Sequence, residues 1–213
     1  FVYTEKAFRI RSLAFVISWI LLITGIIASA AVALGFAGYF IHLFGFGSVI
    51  PIAASLIAIV GLINYFGIKN VARITSVVTI IEIIGLVIVI AAGAYLFSIF
   101  GSDINFLEVP NELGMLGIMT ATSVIFFAYI GFEELANISE EVKDPRKNIP
   151  KAIILSILIS TILYIIVSVA AVIAIGGWEN LSTSNAPLTD AVTQAWGTGA
   201  GFIMGIIALF STA

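Results

Sequence analysis

The sequence predicts an all-α, polytopic membrane protein, and its composition and the spacing of its charges are the observations that predict it. Of the 213 residues, 61% are hydrophobic and 10% are charged, a balance that ordinary soluble domains do not have. Between Ser12 and Ile68 there is no Asp, Glu, Lys or Arg. Such a run is long enough for two membrane spans, since one helical span needs about 20 apolar residues.

Six apolar segments divide the chain, which we treat as a single transmembrane domain. Their approximate bounds are 12–44, 49–63, 71–100, 115–142, 150–175 and 199–213. The fifth is predicted to begin with Pro150 in its first helical turn, where the missing N–H costs nothing. Because the chain begins at Phe1 rather than at a methionine and ends inside the sixth segment, we expect it to be part of a longer protein.

The basic residues predict how these segments are oriented. All nine Lys and Arg residues lie before the first segment, around the connection between the second and third, or around the connection between the fourth and fifth. The connections 45–48, 101–114 and 176–198 contain none. Basic residues are enriched on the cytoplasmic side of membrane proteins, so the N-terminus and the loop 143–151 are predicted to be cytoplasmic.

The fourth segment changes character part-way along its length. From Met115 to Val142 it would form about 42 Å of helix at 1.5 Å per residue, against a hydrocarbon core of about 30 Å. It is apolar until Glu133 and Glu134, and Gly131, a poor residue for a helix interior, stands at the change. We therefore predict one helix broken near Gly131. Backbone that leaves the helix inside a membrane is tolerated only where it lines a cavity.

Acidic side chains in or beside the apolar segments are the candidates for chemistry. Glu82 is isolated in the third segment, about 13 Å along a helix from Arg73 at the cytoplasmic edge. A charged carboxylate at that depth costs about 3 kcal/mol or more. We predict a functional role for Glu82; the alternative is a protonated acid that only packs against a neighbouring helix. Glu133 is a candidate for the bundle interior, whereas Glu134 is expected to reach water.

Small and hydroxylated residues recur at every fourth position in two segments. They are Gly25, Ser29, Ala33 and Ala37 in the first segment, and Ser156, Ser160, Tyr164 and Ser168 in the fifth. Small residues at this spacing typically allow close helix packing in membranes, so we assign neither stripe to a site. His42 is predicted to lie at the membrane interface rather than to carry protons.

The sequence contains no cysteine and none of the common metal-binding or nucleotide-binding motifs. We therefore predict no catalytic residues, no metal, no cofactor and no nucleic-acid partner.

Three stretches of the sequence resemble one family of transporters. The stretch 126–153, FFAYIGFEELANISEEVKDPRKNIPKAI, resembles the signature region around the sixth span of the amino acid–polyamine–organocation (APC) transporters. The stretch 63–74, INYFGIKNVARI, resembles their connection between the fourth and fifth spans. The first residues, FVYTEKAFRIRSLAFVISWILL, resemble the start of their third span. The chain is thus similar to family spans three to seven and the start of eight.

The resemblance implies a leucine-transporter-type fold, in which two inverted repeats of five spans surround the substrate site. The implied substrate site is formed at the break by Phe127, Ala128, Tyr129, Ile130, Gly131 and Phe132. Main-chain carbonyls there would accept hydrogen bonds from a substrate amino group, and Tyr129 and Phe132 would line or gate the pocket.

The resemblance also implies a set of residues for coupling or gating, namely Glu82, Glu133, Ser211 and Thr212. In proton-coupled members a lysine occupies the position that Glu82 matches here. A carboxylic acid at this position could bind a proton, and a carboxylate could help to bind a cation such as sodium. The nature of the coupling ion therefore stays open at this point.

The function that the resemblance implies is secondary active transport of amino acids or related amines by alternating access, as symport or antiport, with protons coupled through Glu82. The protein would be integral to the plasma membrane, with the bilayer, the substrate and the coupling ion as its partners.

Two alternatives stay open. One is an inorganic-ion transporter or channel of the same architecture, although such pores often carry a ring of charges. The other is a non-transporting structural module, although such a helix has no reason to expose backbone in lipid near Gly131.

Overall fold

The computed structural model describes residues 2–66, 71–106, 114–129, 131 and 142–212, and the regular structure of these residues is helical. The first four helices are α1 (Val2–Phe8), α2 (Arg11–Phe44), α3 (Val49–Phe66) and α4 (Val71–Phe100). Helix α5 (Gly114–Phe126) continues into a 3-10 turn, Phe127–Tyr129. The next described helices are α6 (Pro145–Ile175), α7 (Trp178–Thr183), α8 (Pro187–Trp196) and α9 (Thr198–Ser211).

Three of the described helices are long and apolar enough to cross a membrane: Arg11–Phe44, Ser76–Phe100 and Pro145–Ile175. The apolar stretches Val49–Ile63, Gly114–Tyr129 and Thr198–Ser211 are shorter. The most apolar stretch of α2 has no buried residue, as expected for a helix that is apolar on all sides and covered by lipid. The predicted all-α, polytopic membrane fold is confirmed. The inverted repeat stays a prediction. The six membrane segments also stay predictions, because a helix end does not mark the edge of a bilayer.

The helix that was predicted to begin at Pro150 begins earlier in the chain. Helix α6 begins at Pro145, and Pro150 lies inside it. The carbonyl of Asp144 accepts hydrogen bonds from the backbone N–H groups of Lys147 and Asn148, both at 3.0 Å. These bonds close the first helical turn before Pro150 is reached. The prediction for Pro150 is therefore wrong, and Pro145 takes the first-turn position that suits proline.

The connection 176–198 contains two helices that the sequence analysis did not predict. Gly176 and Gly177 have φ values of 81° and 135°, a region that favours glycine, and they separate α6 from α7. Helix α8 packs against α9 and buries Thr189, Ala191 and Val192.

The chain divides into two compact units, and the first comprises Phe1–Ile88 and Thr183–Ala213. Within it α2 contacts α3 through three buried alanines, Ala33, Ala37 and Ala53. Ile52 and Leu56 pack against this cluster. Small side chains let the two helices approach closely. The packing role predicted for the stripe in the first segment is confirmed for Ala33 and Ala37.

The second compact unit comprises Val89–Ser182, and in it α4 approaches α6 closely at Gly93. A Cβ atom built on Gly93 would lie 2.5 Å from the Ala170 carbonyl oxygen and 2.6 Å from the Ala170 Cα. Ala170, Ala171 and Ala174 are all buried on α6. The two backbones are therefore in direct contact, and there is no room for a side chain on α4 at this position.

We predict that Gly93→Ala destabilises the protein. The added methyl group meets backbone rather than a flexible side chain, so the helices must separate, at a cost of about 1–3 kcal/mol for overpacking. The measurement is the thermal unfolding midpoint of the full-length protein in detergent.

Gly35→Ala is the matched control for that substitution. It lies within α2, and a Cβ built there has nothing within 4 Å, so it should be neutral or should gain up to about 1 kcal/mol from helix propensity. Equal midpoints for the two variants would contradict the close contact at Gly93.

Candidate functional site

The chain leaves α-helical geometry at the end of α5. The α-helix ends at Phe126, the 3-10 turn runs over Phe127–Tyr129, and Gly131 has a φ of 112°. That value lies in the left-handed region, which glycine enters without steric cost. Regular α-helix thus ends a few residues before Gly131, and the polar half of the predicted broken helix lies outside the described residues. Of the predicted site residues, Ile130, Phe132 and Glu133 lie outside the described residues.

The side chain of Tyr129 fastens this turn to α6. Its hydroxyl lies 2.8 Å from Thr161 Oγ1, and Thr161 Oγ1 lies 2.7 Å from the Ile157 carbonyl, to which it donates. A threonine hydroxyl has one proton to donate and two lone pairs to accept. Because the Thr161 proton is directed at Ile157, Tyr129 is the donor in its bond to Thr161.

Tyr164, one turn further along α6, makes a second connection to the turn. Its hydroxyl donates to the Ala128 carbonyl at 3.2 Å. Its ring meets that of Tyr129 edge to face, with centroids 5.7 Å apart and an interplanar angle of 81°, an arrangement that aromatic pairs prefer. Two hydrogen bonds and one ring contact therefore hold the turn against α6.

An open cavity of about 470 Å³ adjoins these contacts. Its size falls within the range of small-molecule sites, which typically combine apolar walls with a few polar groups. The walls include Ile125, Ile165, Val169 and the hydroxyl-bearing side chains of Thr161, Tyr164 and Ser168. Ala128 and Tyr129, two of the predicted pocket residues, also line it.

The sequence alone does not indicate the α6 side of this site. Thr161 belongs to no pattern that predicts a site, and the four-residue spacing places Tyr164 in a stripe predicted to pack helices. The available signal was the presence of a tyrosine among the serines of that stripe, since a tyrosine combines a large ring with a polar tip. Spacing alone did not show that this tip reaches a carbonyl on another helix.

Glu82 lies within α4, away from the α5 turn in the sequence. Its side chain is exposed, and no described residue forms a hydrogen bond or ion pair with its carboxylate. One turn further along α4, a Cβ built on Gly85 would lie 2.6 Å from Cγ2 of Ile207 and 3.4 Å from Cε of Met204. This face of α4 therefore meets α9 at close range.

The two hydroxyl residues predicted for coupling lie at the end of α9. Ser211 Oγ donates to the Ile207 carbonyl at 3.0 Å, and Thr212 Oγ1 lies 2.9 Å from the Ala208 carbonyl, to which it donates. With their protons directed at backbone, both oxygens offer only lone pairs to other groups. Thr212 also lines a separate open cavity of about 480 Å³ beside α2 and α3.

His42, predicted to lie at the membrane interface, has an acidic partner. Its Nε2 lies 3.5 Å from Asp190 Oδ1, and Ser184 Oγ donates to the other oxygen of Asp190. The pair links the end of α2 to α8. Both side chains are more than a third exposed, so the ion pair formed by a protonated His42 contributes about 0–1 kcal/mol.

The whole chain, residues 1–213, matches the family model described as "Amino acid permease". The chain belongs to the amino acid permease family. This membership confirms the resemblance to the APC superfamily and establishes, with the apolar helices, an integral membrane protein.

Three relatives show how much of a family member the chain represents. The branched-chain amino acid permease BcaP of Bacillus subtilis is 31% identical over 73% of this chain and 37% of its own length. The methylthioribose transporter of the same organism is 35% identical, with the same two shares of 73% and 37%. The vacuolar cationic amino acid transporter 4 of Arabidopsis thaliana is 32% identical over 76% of this chain and 30% of its own length. The chain thus spans about a third of the length of each of these relatives.

We predict that Thr161→Val loosens the turn at the end of α5. Valine has the shape of threonine without its hydroxyl, so Tyr129 loses its acceptor and the variant loses about 0.5–1.5 kcal/mol of stability. Backbone amides of Phe127–Tyr129 should exchange hydrogen faster, which mass spectrometry of the full-length protein measures.

The matched control is Thr120→Val on α5. Thr120 Oγ1 donates to the Leu116 carbonyl at 2.9 Å, so both substitutions remove one bond to a helix carbonyl four residues earlier, and only Thr161→Val also affects Tyr129. If the two variants showed the same exchange at Phe127–Tyr129, the Tyr129–Thr161 bond would not be what holds the turn.

Proposed function

We propose that the chain forms part of a secondary transporter that carries amino acids or related amines across a membrane by alternating access. The observation that carries this proposal is the 3-10 turn at the end of α5, whose Ala128 carbonyl lies beside an open cavity. Membership of the amino acid permease family supports it. So does the similarity to a branched-chain amino acid permease and to a cationic amino acid transporter.

The turn has the polarity that an ammonium group requires. A helix leaves its last four carbonyls without partners in the helix, and its C-terminal end carries a partial negative charge of about half an electron. In the proposed site the carbonyls of Phe127, Ala128 and Ile130 accept hydrogen bonds from the substrate ammonium group. Tyr129 and Phe132 line or gate the pocket, and Gly131 lets the chain turn away from the helix axis.

Glu82 is the proposed coupling group, with the proton as the coupled ion. In the predicted topology α4 and α9 run in opposite directions. Glu82 lies one turn before Gly85, and Ser211 lies one turn after Ile207, so the two side chains fall at a similar depth. A protonated Glu82 can donate to a hydroxyl oxygen on α9, whereas the ionised form needs a cation. Ser211 and Thr212 are therefore proposed to belong to the coupling site, and Glu133 to a gating network.

The distribution of basic residues supports the proposed orientation. We propose that the N-terminus and the loop 143–151 face the cytoplasm, by the enrichment of Lys and Arg on that side, and that the protein works in the plasma membrane.

The first experiment is uptake of a labelled mixture of the common amino acids by the full-length protein in proteoliposomes, with and without an imposed pH gradient. Uptake that follows the gradient would support a proton-coupled transporter, and uptake by exchange alone would retain the substrate class without the coupling. Inorganic-ion currents with no amino acid uptake would overturn the proposal in favour of an ion transporter or channel.

For Glu82→Gln we predict loss of pH-driven accumulation with exchange retained. Glutamine keeps the shape of a protonated glutamic acid and cannot release a proton. One coupled proton and a gradient of one pH unit can drive at most about tenfold accumulation. The accumulation ratio should fall from that range to about 1 in the variant.

Asp103→Asn serves as the control, since Asp103 is an exposed carboxylate outside the helices and should leave accumulation unchanged. Intact pH-driven accumulation in Glu82→Gln would remove Glu82 from the coupling mechanism and leave the substrate site standing.

A further inference from the structure

The Ala128 carbonyl already has a hydrogen-bond donor in this structure, and that donor comes from another helix. Tyr164 Oη lies 3.2 Å from it, while the Tyr129 ring packs against the Tyr164 ring. A carbonyl inside a bilayer that lacks a donor costs several kcal/mol, on the order of the desolvation of a polar group. Tyr164 on α6 therefore supplies a hydrogen bond to a carbonyl at the end of α5.

The position of this bond makes it a competitor for a ligand. Tyr164 and Ala128 both line the cavity of about 470 Å³, and Tyr164 is 37% exposed. A cation that enters the cavity and donates to the Ala128 carbonyl would meet the tyrosine hydroxyl at the same oxygen atom. Charge-assisted hydrogen bonds are roughly twice as strong as neutral ones, so an ammonium group would prevail over the neutral hydroxyl.

We propose that the Tyr164 hydroxyl occupies the place of a substrate ammonium group at the Ala128 carbonyl, and that its displacement weakens the apparent affinity for amines. This inference rests on the proposed function and adds to it a positioning residue on α6. While the site is empty, Tyr164 donates a hydrogen bond to the carbonyl. An incoming amine must break that bond, and the free energy needed to break it reduces the net free energy of binding.

The test is Tyr164→Phe in the full-length protein, with uptake measured in proteoliposomes. Phenylalanine keeps the ring contact with Tyr129 and removes the competing donor, so the half-saturating concentration of a transported amino acid should fall by about 2- to 10-fold, the value of one net hydrogen bond. A tyrosine that only held the turn in place would give the opposite sign, since its loss would loosen the site and weaken binding.

A second ligand separates recognition of the amine from general tightening of the pocket. The amino acid that is taken up fastest is compared, as an unlabelled competitor, with the matching carboxylic acid in which hydrogen replaces the α-amino group. Tyr164→Phe should improve competition by the amino acid and leave that of the carboxylic acid unchanged. If the carboxylic acid inhibits uptake by neither the unmodified protein nor the variant, the change in the half-saturating concentration of the amino acid decides whether the inference holds.

Thr161→Val is the control variant for this experiment. It removes the acceptor of Tyr129 and keeps the Tyr164 hydroxyl that donates to Ala128. Because it loosens the turn without removing the competing donor, it should raise the half-saturating concentration. The inference would be overturned by an unchanged or raised half-saturating concentration in Tyr164→Phe, or by an equal improvement for both competitors. In either case, continued amino acid uptake would leave the proposed function standing. Absence of amino acid uptake by the unmodified protein would overturn both.

Discussion

The constraint on which this structure depends is that a backbone carbonyl inside a bilayer must receive a hydrogen bond. Within a continuous helix the next turn supplies it, and the long described helices meet the requirement in that way. At the end of α5 the helix gives way to a 3-10 turn, and carbonyls at a helix end need donors other than the next α-helical turn. The donor for Ala128 then comes from Tyr164 on α6. Helix α6 therefore contributes a hydrogen bond to the turn as well as packing against it.

Hydrogen-bond pairing also constrains the face of α4 that meets α9. There the groups that need a partner are side chains. The α9 hydroxyls donate to carbonyls of their own helix and are left as acceptors. Glu82 can be a donor when protonated and only an acceptor when ionised. In the proposed coupling site, a single proton would decide whether Glu82 complements the Ser211 oxygen or repels it. That dependence is the physical basis for assigning proton coupling to a carboxylic acid in the proposed transporter.

The sequence predicts those features of the structure that follow from composition or from the position of individual residues along the chain. Apolar composition and the placement of lysine and arginine predict the fold class, and the abrupt polar change beside Gly131 predicts where α5 loses its regular geometry. The start of α6 was mispredicted because Pro145 and Pro150 both suit a first turn, and only the hydrogen bonds formed in the fold distinguish them. Thr161 and Tyr164 were missed because a four-residue spacing identifies a helix face without identifying what that face touches.

The polarity of the turn also constrains how an amino acid could bind in the proposed site. The end of α5 presents carbonyl oxygens and the partial negative charge of a helix C-terminus, so the substrate ammonium group must face it. The substrate carboxylate would be repelled from the same place and needs N–H donors, of the kind that a helix N-terminus provides. Binding at this turn therefore selects for the amine end of the ligand, and an acid without an amine gains nothing from it.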